Sequence, residues 1–290
     1  MSEATLMFGV GATKAGTSWL YRYLADHPEC HLRSIKELHF FDALDTGKVE
    51  QQMKGLERQK TRLELRQAGG TTHGMVQRAA RLADIEEYQR ALTSGSEQAY
   101  LAYLDGGRAD QRLIADITPA YGLLSVGRLK KMAKMASTVR FVYLMRDPVS
   151  RMWSHVRMLA KRRADTDAYI PALCNQILDD VLAGRKDDVV RRGDYQSVMG
   201  RLQKALNPAA LFTAFYEEMF TQQTMSRLCA FLGLSDRPAD FSQRVHEGAS
   251  VAMTDEQKGR AAAFLKPQYD FVEACFGRLP EQWAANRVGV

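Results

Sequence analysis

Cysteine is scarce in this chain: Cys30, Cys174, Cys229 and Cys275 lie far apart and form no CxxC pair. They read as free thiols of a reducing compartment, without a zinc site or a disulfide framework. Long apolar runs are absent too, so no segment is expected to cross a bilayer. The start, Met1 to Thr5, carries no basic region, and the apolar run after it is too short for a signal peptide. A soluble cytoplasmic protein is therefore expected. Nor is there a large excess of charge of one sign: Lys+Arg number 40 against 34 Asp+Glu, a formal net charge of +6. That balance suits an anionic ligand, but no basic run interleaved with aromatics offers a track for nucleic acid. Internal repeats and low-complexity linkers are missing as well.

What is present is ample core material, 46% hydrophobic over 290 residues, within the range of one domain. Short apolar runs at Leu6–Val10, Leu113–Ile117, Val139–Met145 and Ala210–Phe215 read as strands. Amphipathic segments alternate with them. One helix ends near Asp26, where His27-Pro28 stops it, another runs roughly from Gly122 to Met135, and a third starts with Asp147 as cap and Pro148 as first residue. A further helix runs through Leu228 to Leu232. Thr254 with Gln257 forms a capping box for the last helical region, which Pro267 should kink or divide. The polar stretches 45–98 and 160–195 read as helical excursions on the substrate side. Alternating strands and helices predict an α/β fold: one domain spanning 1–290, with a central, mainly parallel sheet flanked by helices.

In such a sheet the loops at the carboxyl ends of the strands converge on one edge, where ligands bind. The first of these loops is Gly11-Ala12-Thr13-Lys14-Ala15-Gly16-Thr17-Ser18. A strand, a turn of small residues with one lysine and two hydroxyls, and a helix start make up a phosphate site. The usual triphosphate loop places Lys directly before Ser/Thr, whereas Lys14 stands three residues before Thr17. The alternative is an ordinary glycine-containing turn. A second loop begins at Arg146, which leaves its strand at the same edge and can hold a phosphate bidentately, with Ser150 and Ser154 sharing a helix face beyond it. Otherwise Arg146 pairs with Asp147 or a neighbouring carboxylate. Two anion sites at one edge suggest a nucleotide phosphorylated at two places.

On these residues the chain resembles the sulfotransferases that use 3′-phosphoadenosine 5′-phosphosulfate (PAPS). Lys14-Ala15-Gly16-Thr17-Ser18-Trp19-Leu20 is similar to their 5′-phosphosulfate loop, and Arg146-Asp147-Pro148 through Ser154-His155 to their 3′-phosphate segment. Lys36-Glu37-Leu38-His39-Phe40-Phe41 resembles the catalytic stretch of the heparan-sulfate and related carbohydrate members. Thr118-Pro119-Ala120-Tyr121, Arg192-Gly193-Asp194-Tyr195, Tyr216-Glu217-Glu218, Phe231-Leu232-Gly233-Leu234 and Lys266-Pro267 through Trp283 extend the likeness along nearly the whole chain.

The resemblance implies a P-loop-like nucleotide-binding core with PAPS as donor and 3′-phosphoadenosine 5′-phosphate (PAP) as product, without a metal. Lys14 would contact the 5′-phosphosulfate, Ala15, Gly16, Thr17, Ser18 and Trp19 would complete that loop, and Arg146 and Ser154 would hold the 3′-phosphate. Glu37 would be the general base for an acceptor hydroxyl or, less commonly, an amine. If the segment is a strand, Glu37 and His39 point to one face and Lys36 to the other. His39 then either helps proton transfer or supports the site from behind, and Glu37 is either the base or a carboxylate paired with Lys36 or Arg33. Carbohydrate members commonly place a lysine where Ile117 stands, which points to a less charged acceptor: a bacterial-type glycan, a lipid or a hydroxylated metabolite. The rival readings are an ATP-dependent kinase, which lacks its Gly-Lys-Ser/Thr loop and an evident magnesium-binding acid here, and a PAP-binding interaction protein without catalysis.

Overall fold

The apolar runs and the helical stretches alternate in space as they do in sequence. The computed structural model describes residues 3–65, 72–242 and 251–287. Its order is β1 (Thr5–Gly9), α1 (Thr17–Ala25), β2 (Cys30–Leu32), α2 (Phe40–Asp45), α3 (Val49–Leu65), α4 (Thr72–Ser94), α5 (Glu97–Asp105), β3 (Leu113–Ile117), α6 (Val126–Met132) and β4 (Val139–Met145). There follow α7 (Pro148–Arg163), α8 (Ile170–Leu182), α9 (Asp187–Arg191), α10 (Tyr195–Ala205), β5 (Leu211–Phe215), α11 (Gln222–Leu232), α12 (Asp255–Phe276) and α13 (Ala284–Arg287). The strands form one 5-stranded sheet in the order β2-β3-β1-β4-β5. Every pairing is parallel, so the expected mainly parallel sheet is parallel throughout. Parallel sheets are covered on both faces, and β3 is buried at every residue, as is β4 apart from Arg140. Phe8 of β1 packs against Phe41, Tyr121 and Phe141, with ring centroids 6.1, 6.4 and 5.4 Å away. Each such fully buried side chain contributes about 1.5–3 kcal/mol relative to exposure.

β1 lies between β3 and β4, and the chain leaves it towards opposite sides of the sheet, so the crevice at this switch point gathers the loops after β1, β3 and β4. The helix expected over Gly122–Met135 is shorter. Residues Pro119–Leu123 form a 3-10 turn, Leu124 is extended, and Ser125 caps α6 by accepting from the Arg128 amide at 3.1 Å. The capping box at Thr254 and Gln257 forms with both bonds made. Pro267 does not divide the helix behind it. α12 runs through it because Ala261, Ala262, Leu265, Tyr269 and Val272 are buried along its length, and that packing carries the helix across one lost backbone bond. β2 is short and half-buried at two of its residues, which left no apolar run to read. Residues 66–71 of the stretch 45–98 lie outside the described residues. No helix among the described residues is long and apolar enough to cross a membrane.

Candidate functional site

Beyond its own end β1 continues beside β4. Val10 and Ala12 donate to the carbonyls of Val142 and Leu144 at 2.9 and 2.7 Å, and Leu144 donates back to Gly11 at 2.8 Å. The chain then turns sharply, with Ala15 donating to Ala12 at 3.1 Å, Lys14 at φ 70° and Gly16 at φ 93°. Only glycine fits at position 16, because a Cβ there would meet the Tyr216 ring at 2.8 Å. Gly16 is the N-cap of α1, and no side chain caps the helix. The amides of Gly16, Thr17 and Ser18 therefore have no acceptor among the described residues, and such orphan donors at a helix start attract an anion. Ala15 and the Thr17 side chain are buried beneath the loop, while Lys14 and Ser18 are half-buried. Trp19 is covered by Tyr23 on one side and Phe241 on the other, with Phe220 at its edge, so in this conformation it backs the loop.

Around this turn stand cations without counter-charges. Arg146, at the end of β4, lies 4.6 Å above the centre of the Tyr216 ring and donates to the Lys14 carbonyl at 3.3 Å. It does not pair with Asp147. That carboxylate accepts from the Ser150 amide, Asn286 Nδ2 and the Tyr269 hydroxyl, each at 2.7 Å. Arg151 is buried on α7 and donates to the Thr13 carbonyl at 3.5 Å and the Val189 carbonyl at 3.1 Å. Arg192, just past α9, donates to Thr13 Oγ1 at 3.3 Å. Lys14, Arg146, Arg151 and Arg192 form no ion pair among the described residues, whereas Arg33, Arg128, Arg260, Arg278 and Arg287 all meet carboxylates. Arg146 Nε and Arg151 Nε are buried without partners.

The field of this cluster is visible in its titrating groups. Burial and the charges of Arg146 and Arg162 push the Lys14 ammonium below its ordinary range, with Glu37 pulling the other way. His155, buried one helical turn beyond Arg151 with Nδ1 unpartnered, falls to about 3 through burial and the charges of Arg151, Arg192, Lys14 and Arg162. Ser154, beside it, is half-buried on α7.

Opposite the cations lies the loop 33–39. It is not a strand: Glu37 and His39 adopt φ of 61° and 57°. Among the described residues, Lys14, Glu37 and His39 are the non-glycine residues with positive φ, a conformation that persists only where the surroundings impose it. The constraint can be identified. The Leu38 carbonyl, between the two, accepts from Tyr88 of α4 at 2.7 Å and from Gln52 of α3 at 2.9 Å. Arg33 ties the loop's start to Asp84 and Glu87 of α4, and so is not Glu37's partner. The next amide, of Phe40, donates to the Tyr121 hydroxyl at 3.0 Å.

Glu37 pairs with Lys36, and its Oε2 lies 3.9 Å from His39 Nε2. His39 Nδ1 is 2.8 Å from Asp42 Oδ2. Burial favours the neutral carboxyl at Glu37, but Lys36, His39 and Arg192 outweigh it and hold the group below the usual carboxylate range. His39 moves the other way: burial opposes its charge, yet Asp42, Glu37 and Asp116 raise it above its ordinary value. Behind it, buried Asp116 accepts from the hydroxyls of Thr118, Tyr100 and Tyr121 at 2.6, 2.7 and 2.8 Å, while burial keeps its carboxyl raised.

The crevice thus brings together Lys14, the amides after it, Arg146 and the Glu37–His39 loop, and Glu37 is near enough for its charge to act on Lys14. Sequence reasoning missed Arg151, Arg192, His155 and Asp42 as parts of the site. Arg192 lay in the noted Arg192-Gly193-Asp194-Tyr195 stretch and Arg151 and His155 in the segment from Arg146 to His155, so only Asp42 left no signal. A family model described as the sulfotransferase family matches residues 7–238. Among solved structures, a sulfotransferase from Alicyclobacillus acidocaldarius superposes with a TM-score of 0.65 at 21% identity, covering 98% of this chain and 100% of that one. At that identity the likeness concerns the fold. A sulfotransferase domain of the curacin biosynthetic pathway (TM-score 0.48, 19% identity) covers 82% of this chain and 76% of its own. A sulfotransferase domain of the Synechococcus PCC 7002 olefin synthase (TM-score 0.47, 14% identity) covers 92% and 94%. No curated protein matches the chain.

Proposed function

The chain belongs to the sulfotransferase family, and from that premise we propose that it moves a sulfuryl group from PAPS to a hydroxyl of a glycan, lipid or small metabolite, leaving PAP. The observation that carries this reading is the set of cations without carboxylates, Lys14, Arg146, Arg151 and Arg192, gathered at one sheet edge and facing a held carboxylate, Glu37. The partnerless Nε atoms of Arg146 and Arg151 and the open amides of residues 16–18 fit a ligand with several anionic groups.

In this reading the amides of Gly16, Thr17 and Ser18 hold the 5′-phosphate, and Arg146 with Ser154 holds the 3′-phosphate. PAPS supplies a sulfuryl group on a phosphate leaving group. Lys14 neutralises the charge that develops on the departing phosphate oxygen, a task that preorganised cations and amides perform without a metal. Glu37 accepts the acceptor's proton as the new oxygen–sulfur bond forms and the old one breaks. Its depressed carboxyl makes it a weak base, so reach to the acceptor matters more than affinity for the proton. His39, fixed by Asp42, orients Glu37. The excursions 45–98 and 160–195 frame the acceptor, the first because Tyr88 and Gln52 set the loop that carries Glu37.

Calorimetry with PAP and a labelled-PAPS transfer assay over a panel of hydroxylated metabolites and glycans test the reading. Wild type binds PAP and sulfates at least one class of acceptor, and Lys14→Ala weakens PAPS more than PAP. Glu37→Ala keeps PAP affinity and loses turnover by about 10²–10⁴-fold, the usual contribution of a positioned base. Magnesium-dependent ATP binding with no preference for PAP overturns the donor and points to a kinase. Full turnover in Glu37→Ala removes Glu37 from the mechanism.

A further inference from the structure

Beside Lys14 the strand ends supply one further cation, Arg146 after β4, and β3 adds none. The end of β3 offers Asp116, whose oxygens are taken by hydroxyls, and Ile117, whose side chain packs over Gly9 so closely that a Cβ there would lie 2.8 Å from it. A further cation comes from a different element. Arg192 projects from the end of α9 to Thr13 Oγ1 at 3.3 Å, at the donor turn beside Lys14. It pairs with no carboxylate among the described residues, although it lies within electrostatic reach of Glu37 across the crevice.

Its backbone is held on both sides. Upstream, the Val189 carbonyl of α9 accepts from buried Arg151, which also binds the Thr13 carbonyl. At the next residue the chain passes so tightly under Arg151 that a Cβ on Gly193 would come within 2.1 Å of the guanidinium. Downstream, the Tyr195 hydroxyl accepts from the Arg146 amide at 3.2 Å and also bonds the Arg146 carbonyl. The turn that carries Arg192 is therefore clamped to both phosphate-side loops, and the guanidinium's reach is set by the fold.

Resting on the PAPS reading above, we propose that Arg192 is a catalytic residue whose guanidinium holds the non-bridging oxygens of the sulfuryl group during transfer. The acceptor oxygen bonds to sulfur while the bond from sulfur to the bridging phosphate oxygen breaks. That bond's electron pair leaves on PAP, the proton goes to Glu37, and Arg192 carries no proton or electron pair. It balances negative charge on the sulfuryl oxygens from beside Lys14, where Thr13 Oγ1 holds it. Arg146 and the helix amides serve the phosphates, which PAP retains, whereas Arg192 serves the group that PAP lacks.

The test compares PAPS with PAP on the purified chain by calorimetry, in wild type, Arg192→Ala, Arg192→Lys, Thr13→Val and the Thr13→Val, Arg192→Ala double variant. Arg192→Ala should weaken PAPS by about tenfold or more, the size of one charge-assisted hydrogen bond, and leave PAP within about twofold. Arg192→Lys, which keeps the charge without the fork, should fall between. Thr13→Val, which removes the hydroxyl that anchors the guanidinium, should shift the PAPS/PAP ratio in the same direction by less than Arg192→Ala. Equal weakening of both nucleotides by Arg192→Ala places Arg192 on a phosphate and overturns the proposal, as does no change in either. A shift of the PAPS/PAP ratio by Thr13→Val in the Arg192→Ala background as large as in wild type shows that Thr13 does not act through Arg192 and also overturns it. Wild type that binds no PAP removes the donor assignment itself, a result distinct from those three.

Discussion

At the end of β3, buried Asp116 is met by three hydroxyls, from Thr118, Tyr100 and Tyr121. At the end of β4, buried Asp147 is met by an amide, a carboxamide and a hydroxyl, from Ser150, Asn286 and Tyr269. In both places a proline follows, at Pro119 and Pro148, and in both the carboxylate fastens the turn that leaves the sheet. The difference lies one step away. Beside Asp147 stands Arg146, with its Nε unpartnered and neighbours of like charge, whereas every group around Asp116 is satisfied. A buried polar network with all its bonds made specifies structure; one that leaves cations without anions waits for a ligand. The comparison separates scaffold from site without reference to any relative.

The largest effect should come from breaking the satisfied end. Asp116→Ala strands three buried hydroxyls and should lower unfolding free energy by about 3–5 kcal/mol, read by urea denaturation. An effect under about 1 kcal/mol would dissolve the contrast. Arg146→Ala should do the reverse: stability within about 1 kcal/mol of wild type, but PAP affinity down about 100-fold, the value of a bidentate charge-assisted contact.

The smallest effects lie in pH dependence, where the two ends should differ in sign. His155 titrates at about 3 in the fold, below its unfolded value. Its contribution is thus complete above about pH 6.5 and lost as pH falls towards the folded value. On the order of 2 kcal/mol should go between pH 7 and 5, and His155→Gln should flatten that slope. His39, raised by Asp42 and Glu37 against its burial, stabilises below its unfolded value and loses that contribution as pH rises through the folded one, so His39→Gln should flatten the alkaline side. Matching slopes for the two variants would erase the difference in local field.

Those two histidines also show how far the sequence could be read. Lys14, Gly16, Arg146 and the strands before them were legible because strand, turn and helix start follow one another along the chain, and a parallel sheet brings such loops to one edge. Glu37 and His39 were legible as residue types but not in geometry. Their left-handed backbone is imposed by Tyr88 and Gln52, donors that arrive from two other helices. Arg151 lies inside the segment from Arg146 to His155 that was noted in the sequence, and only the fold shows it buried beneath the turn after β1. His155 carries no local mark of its field, which comes from Lys14, Arg192 and Arg162. Pro267 does not divide α12, because its effect depends on whether neighbours hold the helix together, and here the packing along α12 does so.

Gly193 sets a rule for re-engineering this protein. Since a Cβ there would collide with Arg151 at 2.1 Å, the stretch around α9 and the first turns of α7 are one module. Exchanging the 160–195 stretch with a homologue will keep the fold around Arg151 only if residues 151 and 193 travel together. A library that varies 160–195 while holding glycine at 193 should yield far more folded, nucleotide-competent clones than one that randomises it.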